Sequence, residues 1–206
     1  MNWNDKEVVL RAVKREGSSL QYASLELRND KEVVWEATQE QGRSLQFASL
    51  ELRKDKEFIL KMVKQDGWVL QYASPELKND KEVVLEAVKQ AGWSLRYASL
   101  ELRNDKEFIL EVVKQDGVLF QYVCNDLEND KEFIFKIVKQ DRGLLEYAYH
   151  DLRSDKELEM ISKQYYEIPR NIPVYDISFQ FKYTGEIRKQ RDFDDECHRR
   201  IMIKNK

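Results

Sequence analysis

Histidine and cysteine are scarce in this 206-residue chain, with two of each. That removes most of the side chains that carry acid–base, nucleophilic and metal chemistry. Cys124 and Cys197 are too few for a disulfide framework, which points to a reducing compartment. Charge of one sign is also lacking. Thirty-five Lys and Arg stand against thirty-eight Asp and Glu, a net of -3, so the basic surplus of a dedicated nucleic-acid binder is missing. No apolar run approaches the roughly 20 residues that cross a bilayer. The start, Met1-Asn2-Trp3-Asn4-Asp5, has neither the basic nor the apolar region of a signal peptide. The compartment expected is the cytoplasm, with a leaderless secretion route still compatible. None of the seven glycines sits in a glycine-rich run before a helix, so no phosphate-cradling loop is expected.

What the chain has is a period. Asp-Lys-Glu begins at Asp5, Asp30, Asp55, Asp80, Asp105, Asp130 and Asp155, every 25 residues, with no insertion between copies. A strict repeat of this length marks a stacked array in which each unit packs chiefly on its neighbours. Asn79-Asp80-Lys81-Glu82 has the form of a capping box, with Asn79 as N-cap and Glu82 three positions on. The acids of its first turn suit the positive end of the helix dipole. Val83, Val84, Leu85, Ala87 and Val88 then cover a wide arc of a helical wheel, opposite Glu82, Glu86, Lys89 and Gln90. An arc that wide predicts a helix packed on two sides. Gly92 is expected to stop it. Glu7–Arg11, Glu57–Lys61 and Glu132–Lys136 are spaced as i,i+4 ion pairs on the helix surface.

The second half of the unit, Trp93 to Arg103, places Leu95, Ala98, Leu102 and the aromatic Tyr97 at roughly helical spacing. Ser74-Pro75-Glu76 reads as an N-cap followed by proline at the first helical position. This half is therefore a short helix, or one broken into two turns. The fold expected is all-α, a solenoid of tandem 25-residue helical-hairpin repeats over residues 4–160, six full units and a partial seventh. Residues 161–206 form a C-terminal cap or tail. There Ile177, Phe179, Phe181 and Tyr183 alternate with polar residues and predict a short β-strand at about 174–184.

The stretch Asn79-Asp80-Lys81-Glu82-Val83-Val84-Leu85-Glu86-Ala87-Val88-Lys89-Gln90, with a segment such as Leu70-Gln71-Tyr72-Ala73-Ser74-Pro75-Glu76-Leu77, resembles a helical repeat family known as domain of unknown function, family 4116. The resemblance covers about residues 4–160. It agrees with a helical repeat and implies no reaction, cofactor or catalytic residue.

Functional residues are expected where the frame lets residues change. The two positions after each glycine vary: Ser18-Ser19, Arg43-Ser44, Trp68-Val69, Trp93-Ser94, Val118-Leu119. Trp68 and Trp93 stand one repeat apart and are expected to lie near each other, either sealing the seam between repeats or anchoring a partner. The candidate binding residues are Trp68, Trp93 and Arg43. No catalytic, cofactor-binding or metal-binding residue is expected, and no cofactor. Cys124 reads as a buried small thiol. His150 reads as a surface or partly buried substitution, Cys197-His198 as adjacent residues of a charged tail, and Asp192, Asp194, Asp195 and Glu196 as a solvated run.

The function this supports is a non-enzymatic scaffold binding another protein or peptide. Two alternatives stay open. One is a substrate-positioning region for chemistry in the C-terminal segment. The weakest is nucleic-acid binding through Arg199, Arg200, Lys204 and Lys206. The array begins on a full repeat with Trp3 a candidate for partial cover of its first face, so self-association through that face, or through the C-terminal strand, stays open.

Overall fold

The computed structural model describes residues 2–148 and 150–164, leaving aside the side chains of 142, 150 and 162–164. The strand expected at 174–184, the acidic run at 192–196 and Cys197-His198 lie outside the described residues.

Each 25-residue unit consists of three pieces. The first is an α-helix opened by Asp-Lys-Glu: Lys6–Val13, Lys31–Glu40, Lys56–Val63, Lys81–Gln90, Lys106–Gln115, Lys131–Val138 and Lys156–Gln164. The second is a six-residue 3-10 helix that begins at the glycine, as in Gly67–Tyr72 and Gly92–Tyr97. The third is a short helical turn, α in Pro75–Lys78 and Leu100–Arg103 and 3-10 in Leu27–Asn29 of the first unit. The second half is thus broken, as one of the two sequence readings had it. The break falls at Ala73, Ala98 and their equivalents, whose extended backbone ends each 3-10 piece. Serine caps the turn that follows: Ser74 and Ser99 accept from the Leu77 and Leu102 amides.

Two local expectations are corrected. The N-cap is the aspartate, one residue later than the expected asparagine. Asp80 has extended backbone and its carboxylate accepts from the Val83 amide at 3.1 Å. Asn79 is occupied elsewhere: its side chain accepts from Ser99 Oγ and donates to Glu101 at 2.9 Å, both in the following repeat. The box therefore starts at Asp80, and the asparagine works across the seam.

The glycines are not left-handed helix stops, since no described residue has positive φ. They are points of close approach. A Cβ on Gly67 would run into the Ala87 carbonyl of the next repeat and stand 2.9 Å from Ser94 Oγ. On Gly17 it would meet the Ala37 carbonyl in the same way. The residue just before Gly17, Gly42, Gly67, Gly92 and Gly117 is extended instead, such as Ala91 with φ -148° and ψ 100°.

The core is one continuous column. Leu20, Leu45, Leu70, Leu95 and Phe120, at one position of successive repeats, are wholly buried, together with Val33, Val83, Ile59, Ile109 and Ile134 from the α-helices. Val83, Val84, Ala87 and Val88 are all buried on Lys81–Gln90, so the wide arc does pack on two sides. Helices this short are marginal alone and depend on that stacking.

Candidate functional site

Each seam between repeats carries two regular links. Along the backbone, the Ser49, Ser74 and Ser99 amides donate to the carbonyls of Arg28, Arg53 and Lys78. Across the side chains, the lysine of each Asp-Lys-Glu reaches the aspartate of the next one. Lys6 lies 2.7 Å from Asp30, Lys56 2.7 Å from Asp80, Lys81 2.7 Å from Asp105 and Lys131 2.8 Å from Asp155, and Lys106 contacts Asp130. Lys6, Lys56 and Lys131 also reach Glu32, Glu82 and Glu157. The lysine hydrogen bond and the capping amides hold the carboxyls of Asp55, Asp105, Asp130 and Asp155 below their ordinary range. These carboxylates are held charged and serve caps and seams.

The expected i,i+4 pairs do not form. Lys61 instead stands over the Trp35 ring of the preceding repeat, 3.9 Å from its centroid. Cys124 is half-buried rather than buried. It sits at the cap position of Asn125–Glu128 without capping it, because a thiol accepts poorly where serine serves elsewhere.

Trp68 and Trp93 do come together. Asp66 accepts from the Trp68 amide at 2.9 Å and so fixes the first residues of the 3-10 helix. Trp93 occupies the same place one unit on, and the two ring centroids are 3.5 Å apart at 56°. Tyr97 completes the cluster at 6.3 Å from both, edge-on to Trp93, with the Arg96 guanidinium 5.4 Å from its ring. Burial pushes the Tyr97 hydroxyl above its ordinary pKa. The two tryptophans differ in exposure. Trp93 is half-buried at the seam, while Trp68 remains 48% exposed. Arg43 is exposed in the same column one repeat earlier, with no ion-pair or ring partner among the described residues.

The array shows two further columns that sequence reasoning missed. Leu25, Leu50 and Leu100 are exposed, each followed by an exposed glutamate. Arg28, Arg53, Lys78 and Arg103 form a row of half-buried cations three positions further on. The signal for both was present as repetition, but a repeated residue reads as scaffold. Among the described residues no group of three or more His, Cys, Asp or Glu is placed to hold a metal, and no helix is long and apolar enough to cross a membrane.

The model of the domain of unknown function DUF4116 matches residues 5–53, 55–103, 83–128, 105–153 and 130–164. The chain belongs to the DUF4116 family. Three of these matches lie end to end, and each spans two of the 25-residue units, so one DUF4116 domain corresponds to a pair of repeats. No curated protein and no solved structure matches the chain.

Proposed function

We propose that this DUF4116 array is a non-enzymatic scaffold that binds another protein or peptide, with Trp68 as its anchor. The observation that carries this is the half-exposed Trp68 ring held against Trp93 and Tyr97. A large aromatic surface already fixed by neighbours loses little conformational freedom on binding, and such residues dominate interface energetics. Arg43, one repeat away in the same column, extends the patch with a free cation. The non-enzymatic reading is supported by the commitment of the aspartates to caps and seams, which leaves that carboxylate ladder with structural work.

The test compares affinity capture from a native cell extract by the intact chain and by its Trp68→Ser variant. Circular dichroism should report equal helicity for both. A partner retained by the intact chain and lost by the variant supports the anchor. Equal capture by both, at equal helicity, removes Trp68 from the binding surface.

A further inference from the structure

Arg28, Arg53, Lys78 and Arg103 occupy one position in four successive repeats, at the end of the short turn that follows the capping serine. All four are half-buried. None makes an ion pair among the described residues. The Nε atoms of Arg28, Arg53 and Arg103 are buried without a hydrogen-bond partner. The cations also feel one another: burial first, and then the charge of Arg53, lower the pKa of Lys78. A row of like charges partly withdrawn from water is costly unless an opposite charge attends it.

Arg103 Nη1 donates to the Tyr122 carbonyl at 3.2 Å, tying the cation of one repeat to the aromatic position of the next. By the period, Arg28, Arg53 and Lys78 stand in the same register to Phe47, Tyr72 and Tyr97, which are half-buried against the core. The row has an end. The next residue in the column is Glu128, which is buried and reverses the sign.

We propose that this row is the binding track for an extended acidic peptide in polyproline-II conformation, with one carboxylate every third residue for each of four repeats. The proposal rests on the scaffold reading and gives that scaffold a partner chemistry. Packed helices stand about 8–10 Å apart. A polyproline-II chain returns to the same face every third residue after about 9.3 Å, so its carboxylates match the repeat one for one. A phosphodiester strand fits less well. Glu26, Glu51, Glu76 and Glu101 are exposed two positions before the cations on the same turns, and a strand charged at every residue would meet them. A peptide offers uncharged residues there.

The test is fluorescence anisotropy at low salt with the full chain and labelled (Glu-Pro-Pro)4. Controls are (Gln-Pro-Pro)4 and a peptide of the same composition with its four glutamates clustered at one end. The spaced peptide should bind at least about tenfold more tightly than either control. Arg53→Gln and Lys78→Gln should each weaken it several-fold with unchanged helicity, whereas Trp68→Ser should not. Lengthening to (Glu-Pro-Pro)6 should add no affinity beyond statistical gain, because Glu128 closes the row. Equal binding of the glutamine or clustered peptide overturns the proposal. So does tighter, Arg53-dependent binding of a 12-mer oligouridylate. Absence of peptide binding while Trp68-dependent capture persists overturns the track alone and leaves the tryptophan anchor standing.

Discussion

Lys56 Nζ lies 2.7 Å from Asp80 Oδ2, while Asp80 Oδ1 accepts the Val83 amide at 3.1 Å. One carboxylate thus starts its own helix with one oxygen and holds the preceding repeat with the other. The Asp-Lys-Glu period is a chain of such doubly used aspartates, and it accounts for why the motif tolerates no change of spacing.

The two uses of Asp80 are separable by substitution. Asp80→Ala removes both cap and bridge and should cost about 1–2 kcal/mol. Asp80→Asn keeps a capping oxygen and should cost less. Lys56→Met removes only the exposed bridge and should cost least. Urea unfolding of the three variants should give that order; equal losses for Asn and Ala would mean that the cap contributes little.

Glycine replacements should divide by what the new Cβ meets. At Gly67 it meets the Ala87 carbonyl, a backbone atom fixed in a helix. At Gly92 it meets the Leu119 side chain, which can turn away. Gly67→Ala should therefore lower stability by about 2–3 kcal/mol, and Gly92→Ala by about 1 kcal/mol. Similar losses at both sites would point to backbone conformation as the cause instead.

The ladder makes stability depend on pH at both extremes. The lysine hydrogen bond and capping amides depress the carboxyls of Asp55, Asp105, Asp130 and Asp155. Stability from a depressed carboxyl is present above its unfolded pKa and lost as pH falls through the folded one, hence below about pH 4. Hydrogen bonds donated to carboxylates raise Lys81 and Lys131. That contribution is present below the unfolded lysine pKa and lost as pH rises through the folded one, above about pH 10. Thermal melts should show a plateau between these limits, with acid and alkaline losses that shrink when salt screens the exposed pairs.

Tyr147 should titrate above the ordinary tyrosine range. Burial first, then the neighbouring Glu146, push its hydroxyl up to about 12. An absorbance titration of the Tyr147→Phe variant should lose a step near pH 12 and keep the rest; loss of a step near pH 10 would place Tyr147 in water.

The period, the helix starts and the two-sided α-helix were legible in the sequence because capping and amphipathicity act within a turn or two. The adjacency of Trp68 and Trp93 followed from arithmetic, since equal positions in a stack are neighbours. What escaped was set at a distance of about one repeat. Asn79 looked like a cap until Ser99 and Glu101, 20 and 22 residues on, claimed its side chain. Gly92 looked like a stop, and the Leu119 side chain of the next repeat packs against it. Lys61 looked like the partner of Glu57, but the Trp35 face lies nearer its charge. The cation row of Arg28, Arg53, Lys78 and Arg103 was hidden by its own regularity.

The backbone bonds from the Ser49, Ser74 and Ser99 amides to Arg28, Arg53 and Lys78 each join residues 21 apart. The lysine bridges join residues one copy of the motif further on, by the same fixed count at every seam. A single residue added inside a unit therefore dislocates several bonds at once, whereas removing 25 residues reconnects an identical joint. Length in this molecule is quantised: it can be cut or extended only by whole steps, and any surface built on the array changes its reach in those same steps.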